Sequence, residues 1–224
     1  MEKYDLIVIG CGPAGFAGAM RALDFRKKVL LIEKNKIGGA GVHDGVLSSK
    51  TMWEHSMKVN TIRESVPNYN PAFAEVKQVV EDAMQERKHQ LEQHLHLLET
   101  AIEKGIFHFE FGTARFLDKN HIEIQKPDGT VTQVYGTYIL IATGSRPRYI
   151  PEISIDEEII VTSNGIRNFK DFPESMVVLG AGVIGCEFAT IFSNYGSTKV
   201  FLIDKAERDR KSTRLNSSHI PLSR

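Results

Sequence analysis

Two glycine-rich stretches hold the residue types best suited to chemistry in this chain: Gly10-Cys11-Gly12-Pro13-Ala14-Gly15 and Gly180-Ala181-Gly182-Val183-Ile184-Gly185. Each follows a short apolar run, Leu6 to Ile9 and Met176 to Leu179, and each leads through a segment of small and apolar residues to a second apolar run. Those second runs end in an acid, Glu33 and Asp204. In a strand–turn–helix–strand unit the first glycine permits a sharp turn, the second lets the backbone approach a pyrophosphate, and the third lets helix and strand pack closely. The N–H groups of the helix's first turn then face the phosphates, and the acid accepts hydrogen bonds from a ribose hydroxyl. A lone glycine fingerprint also serves plain structural turns. Here strand, helix and acid agree with it twice, so the repeat predicts two bound dinucleotides with chemistry between them.

The elements that must position these turns follow from local pattern. A helix is expected over about Pro13 to Phe25, with Pro13 in its first turn, where a missing N–H costs nothing. A loop rich in glycine, Gly38-Gly39-Ala40-Gly41 and then Gly45, follows Glu33. Ser48 or Ser49 is expected to cap a helix starting near Lys50 and stopping at Val66-Pro67. From Phe73 apolar residues recur every three or four positions through Ile102, with Gly105 as a C-terminal stop, which predicts one long amphipathic helix of about 50 Å if unbroken. Past it come β-like runs, Ile106 to Leu117, Ile122 to Gln125 and Val131 to Tyr135, with Pro127-Asp128-Gly129 as a hairpin turn. A separate strand, Tyr138 to Ile141, then ends in Ala142-Thr143-Gly144-Ser145, another small-residue turn that backbone or ligand can approach. Pro147, Pro151 and the acids Asp156 to Glu158 read as a linker.

Bulk properties narrow the function classes. With 224 residues the chain can bury a substantial core. Its 28 basic and 28 acidic residues cancel, leaving no field to recruit nucleic acid or an anionic membrane. No apolar run approaches a membrane span, and no signal peptide precedes the first strand, so the sequence reads as cytoplasmic. The two cysteines, Cys11 and Cys186, fit neither a disulfide scaffold nor a metal knuckle. His89, His94 and His96 share no i, i+4 spacing, and no metal site is expected.

Taken together, the two fingerprints, the Ala142-Thr143-Gly144 turn between them and the loop from Gly38-Gly39 to Ser49-Lys50 resemble the pyridine nucleotide–disulfide oxidoreductases. This flavoprotein family includes dihydrolipoamide dehydrogenases and soluble transhydrogenases. The resemblance covers about residues 4 to 206 and implies an α/β architecture: an FAD-binding Rossmann-like domain with a long helical segment and a three-stranded β insertion (1–150, incomplete), then a truncated second Rossmann-like NAD(P)-binding unit (151–206). Residues 207–224, serine-rich, basic and without periodicity, are expected to be a non-native or disordered tail. By the resemblance, FAD is held by Gly10, Gly12, Pro13, Ala14, Gly15, Glu33, Gly39, Lys50, Ala114, Thr143 and Gly144. NAD(P)H is held by Gly180, Gly182, Val183, Ile184, Gly185, Glu187 and Asp204, and the acid at Asp204 gives NADH a slight preference by repelling a 2′-phosphate. Lys50 and Glu187 are the implied catalytic residues, an ion pair near flavin N5 in which the lysine favours anionic reduced flavin and the carboxylate holds the lysine.

The family loop usually reads GGTCxNxGCxPSK. Here Gly41 and Val46 stand where its cysteines would be, His43 stands at the asparagine, and neither Gly41 nor Val46 can form a disulfide. Disulfide reduction by the usual route is therefore not expected. The implied function is an FAD-dependent NAD(P)H oxidoreductase that passes electrons to a small non-disulfide acceptor, such as a second pyridine nucleotide. The alternative is a dinucleotide-binding protein or fragment without turnover. Family members run to roughly twice this length and form homodimers, so the implied partners are a nicotinamide nucleotide, an unidentified small acceptor and, for the full-length protein, a second copy.

Overall fold

The computed structural model describes residues 1–204, apart from the Leu97 side chain; the expected tail at 207–224 lies outside them. The chain divides into two compact units, Met1–Leu47 with Met84–Tyr149, and Ser48–Ala83 with the residues from Ile150 onward.

The first unit is built on strand β1 (Glu2–Ile9), helix α1 (Pro13–Asp24) and strand β2 (Val29–Glu33). Strands β3 (Phe107–Phe111), β4 (Thr113–Phe116), β5 (His121–Gln125) and β6 (Val131–Ile141) complete a six-stranded sheet in the order β3-β2-β1-β6-β5-β4. The β3-β2-β1-β6 pairs are parallel, and β4, β5 and β6 form an antiparallel meander. Alternate residues point to opposite faces. Ile7, Leu30 and Ile32 pack with Ile122, Ile124 and Val134, while Val8, Val29 and Leu31 pack with Ala19 of α1, Phe107 and Leu98.

Four boundaries differ from the sequence reading. The run Ile106 to Leu117 is two strands, β3 and β4, at opposite ends of the strand order, because the chain leaves β3 at Gly112 and re-enters the sheet beside β5. Val131 to Tyr135 and Tyr138 to Ile141 are halves of one strand, because β1 pairs in parallel with β6 from Val134 to Ile141 and carries the ladder across Gly136. A methyl group at Gly136 would lie 2.8 Å from the end of the Ile7 side chain, which would have to shift to admit it. The long helix is broken, with α3 covering Phe73–Leu97 and a short α4 covering Glu99–Glu103. At the break the Leu98 N–H turns back to the Leu95 carbonyl at 3.0 Å, and the Leu98 side chain is buried in the core. Helix α2 (Gly45–Ser65) starts five residues before Lys50, so Ser48 and Ser49 are buried inside it rather than capping it.

In the second unit, strand β7 (Ser175–Leu179), helix α5 (Val183–Tyr195) and strand β8 (Lys199–Ile203) repeat the β1-α1-β2 pattern, with β7 and β8 parallel. Phe192 and Tyr195 of α5 are fully buried, and Phe172 stacks edge-on or tilted against Phe73, Phe192 and Tyr195. No helix among the described residues is long and apolar enough to cross a membrane.

Candidate nucleotide sites

In the first unit the chain leaves β1 through Gly10, whose φ of 101° lies in the left-handed region that glycine tolerates. A methyl group here would also fall 2.3 Å from the Ala142 carbonyl oxygen. Gly15 has a different reason to be glycine, since a methyl group there would lie 1.8 Å from the Gly10 carbonyl oxygen. Gly12 has neither constraint. Its φ of −75° suits any residue, and a methyl group on it would meet nothing within 4 Å among the described residues. The packing of the protein thus leaves bare backbone at the helix start, where the first-turn N–H groups have no partner within the helix. A pyrophosphate fits such a place.

The second unit repeats this division of labour. Gly180 has a φ of 100°, Gly185 would bring a methyl group 2.0 Å from the Gly180 carbonyl oxygen, and Gly182, at φ −69°, again faces open space. Val183 and Ile184, the first residues of α5, are exposed.

The acids are held in parallel ways. The Cys11 N–H donates to Glu33 Oε2 at 2.7 Å, and the Asn35 N–H donates to Glu33 Oε1 at 2.8 Å. In the second unit the Ala181 N–H donates to Asp204 Oδ2, also at 2.7 Å. Glu33 is only 9% exposed, whereas Asp204 is exposed. Sequence reasoning missed Cys11, Asn35 and Ala181 because they act through backbone N–H groups; the constant place of the acid after the fingerprint was the available signal. Beneath the first turn, burial pushes the Cys11 thiol up to about 11, so it stays protonated and inert at neutral pH.

Other named residues gather around the first turn. Gly39 opens a 3-10 turn, Gly39–Gly41, that lies against the fingerprint: a methyl group at Gly39 would sit 3.0 Å from Gly12 Cα, and one at Gly41 would sit 2.5 Å from the Pro13 ring. The loop is tied by the Gly38 N–H to the Cys11 carbonyl at 2.8 Å, and His43 Nε2–H donates to the Ile37 carbonyl at 2.8 Å. Pro13 and Ala14 are exposed in the first turn of α1. Ala142 N–H bonds the Ile9 carbonyl, which carries Thr143 and Gly144 past Gly10. Ala114 is half-buried on β4 and packs on the core, close in sequence to Gly112, whose N–H donates to the Glu33 carbonyl.

In the second unit Lys50 of α2 and Glu187 of α5 meet. Lys50 Nζ lies 2.7 Å from both Glu187 oxygens, with the lysine side chain 60% exposed and the glutamate 11%. The carboxylate is the more buried partner and the ammonium the more exposed, so the ion pair presents its lysine end at the surface of this unit. Val46 is exposed in the first turn of α2 and Gly41 lies in the 3-10 turn. Among the described residues no group of three or more His, Cys, Asp or Glu could hold a metal ion.

The family description "pyridine nucleotide-disulphide oxidoreductase" matches residues 4–215. The chain belongs to this family. It is 34% identical over 216 residues to a soluble pyridine nucleotide transhydrogenase of Colwellia psychrerythraea, covering 93% of this chain and 45% of that protein. A soluble pyridine nucleotide transhydrogenase of Mycobacterium bovis is 31% identical over 210 residues, covering 92% and 44%. Among solved structures, the copper(II) complex of the HOCl-induced flavoprotein disulfide reductase RclA of Escherichia coli aligns with a TM-score of 0.69 at 25% identity, covering 92% of this chain and 43% of that one. LpdA of Mycobacterium tuberculosis aligns with a TM-score of 0.73 at 21% identity, covering 93% and 46%, and supports the fold. The family member described here spans less than half the length of these relatives.

Proposed function

We propose that this chain is the nucleotide-binding part of an FAD-dependent NAD(P)H oxidoreductase whose acceptor is not a disulfide. The observation that carries this reading is the pair Gly12 and Gly182. At both positions neither φ nor packing calls for glycine, and both stand where a pyrophosphate would lie against backbone. Family membership supports FAD and NAD(P) as the nucleotides, and the reading seats FAD at the first turn and NAD(P)H at the second. When bound, the flavin supplies two-electron chemistry between the nicotinamide and the acceptor.

The chain's own residues bind and orient. The first turns of α1 and α5 face the pyrophosphates, Glu33 and Asp204 lie at the strand ends where the riboses would sit, and Asp204 disfavours a 2′-phosphate, which gives NADH a slight preference. Glu187 holds the Lys50 ammonium in one orientation, and this pair is the proposed charged group at the reacting end of the flavin. Gly41 and Val46 supply no thiol, and buried, protonated Cys11 supplies no thiolate. A second pyridine nucleotide is the favoured acceptor, supported by the names of the transhydrogenase relatives.

Titration of the chain with FAD, followed by flavin fluorescence, is expected to give saturable binding; no uptake overturns the reading. Anaerobic mixing of the flavin-loaded protein, extended to its relatives' length, with NADH and separately with NADPH is expected to bleach the flavin band. A band that persists with both donors overturns the redox assignment. A second reading, binding without turnover by this chain alone, is favoured by its coverage of less than half of each relative. Steady NADH oxidation by the flavin-loaded chain alone overturns that reading.

A further inference from the structure

The two acids have work to do before any nucleotide arrives. In each unit the first glycine's N–H donates to the carbonyl of the residue just before the acid: Gly10 to Ile32 at 2.8 Å and Gly180 to Ile203 at 2.7 Å. The next residue's N–H donates to the acid's carboxylate, Cys11 to Glu33 and Ala181 to Asp204, both at 2.7 Å. The chain then reaches the helix, whose first turn closes with Phe16 N–H on the Gly12 carbonyl and Cys186 N–H on the Gly182 carbonyl, both at 2.9 Å. One sequence thus builds the same clasp twice, from different side chains and in separate compact units.

We propose that Glu33 and Asp204 are positioning residues that lock the left-handed glycine turns in the nucleotide-free protein, and so preform the pyrophosphate cradles. The physical reason lies in the turn. A φ near +100° at Gly10 and Gly180 aims the following N–H away from the strand ladder, toward the end of the second strand. Without that bond the buried Cys11 N–H would carry the desolvation cost of a lost hydrogen bond, and the more open Ala181 N–H would lose the contact that fixes its turn. A carboxylate one residue past the ladder's last carbonyl meets it with a charge-assisted bond. Glutamate and aspartate both reach 2.7 Å, so the requirement is an acceptor at this place rather than one side-chain length. Glu33 goes further by using its second oxygen on the Asn35 N–H.

This role goes beyond the proposed function and leaves room for a ribose, since a carboxylate has lone pairs beyond those the backbone uses. It also changes how nucleotide preference is read: an acid after β8 is needed by the turn itself, so its presence alone says less about NADH against NADPH.

The test uses flavin-stripped chain with no nucleotide added. In E33A and in D204A the carboxylate is gone. Both are expected to melt lower, by about 4–8 °C for E33A. Hydrogen exchange at the Cys11 amide in E33A and at the Ala181 amide in D204A is expected to quicken about tenfold or more, while the Val8 and Val178 amides stay as in the parent. D204E restores slow exchange at Ala181, because Glu33 makes the same bond in the first unit. E110Q, which breaks the partly exposed pair with Lys126, controls for loss of a charge and leaves both amides unchanged. Unchanged exchange at Cys11 and Ala181 in the nucleotide-free variants overturns the proposal, even if nucleotide binding weakens. Failure of the parent chain to bind FAD sinks the functional reading and leaves this test intact.

Discussion

Gly12 and Gly15 share a turn and should fail in different ways when each is given a methyl group. G15A drives Cβ into the Gly10 carbonyl oxygen and is expected to cost about 3 kcal/mol or more of stability. G12A is expected to stay within about 0.5 kcal/mol of the parent without nucleotide, yet to bind FAD about tenfold more weakly. Thermal melts and a flavin-fluorescence titration separate the two outcomes. His55 makes a different residue-scale point. Tyr195 donates its hydroxyl to the Met52 carbonyl at 3.2 Å, so His55 Nδ1 must be the donor in its 3.2 Å contact with Tyr195. Burial holds His55 below the ordinary histidine value of 6.5; Glu75 opposes the shift and Lys58 adds to it. Between 6.5 and the lower folded value the unfolded chain takes up a proton that the folded chain does not, so stability is full above 6.5 and falls as pH drops through this window. Melting temperatures measured from pH 7.5 to 5 should show this slope, and H55Q, which cannot charge, should flatten it.

At the scale of elements, Arg63 near the end of α2 fixes the end of α5. Its guanidinium donates to the carbonyls of Asn194 and Tyr195, to the Tyr69 carbonyl at 2.8 Å and to the Asn70 side chain. Asn194 and Tyr195 are among the last residues of α5, whose carbonyls lack partners within the helix and carry the negative end of its dipole. Gly196, at φ 73°, closes that end beside the guanidinium. R63A is expected to cost about 2–3 kcal/mol. R63K recovers little of it, because an ammonium cannot span acceptors that a planar fork reaches together; urea unfolding of both variants measures the difference. Element boundaries also show where sequence patterns stop being informative. The period of α3 runs on past Leu98 in the sequence, but burial of Leu98 against the sheet outweighs helix continuity. Gly136 reads as a break between two strands, but pairing with β1 holds the backbone extended through it. Gly45 reads as a loop residue and lies buried in the first turn of α2.

For the molecule as a whole, FAD at about 100 times its dissociation constant should stabilise the folded chain by about 2.7 kcal/mol if only the folded state binds it. A thermal-shift titration checks this, and no shift at saturating FAD would contradict the binding site. The outer face of the β7–β8 pair is apolar and exposed at Val177, Leu179, Phe201 and Ile203, whereas parallel sheets are ordinarily covered on both faces.

The sequence by itself determined the two strand–turn–helix–strand units, their glycine turns and terminal acids, and the loss of both loop cysteines. Each of these is written in a few adjacent residues, through spacing that local backbone geometry alone enforces. Tertiary structure decided what depends on distant partners. Lys50 and Glu187 meet at 2.7 Å although 137 residues separate them. Gly12 and Gly15, equivalent as letters, differ because only Gly15 has a carbonyl oxygen where its methyl group would go. Glu33 and Asp204 became parts of the turns themselves because the fold brings the end of each second strand beside the N–H that follows the first glycine, a neighbour that spacing predicts for a ribose but not for the backbone.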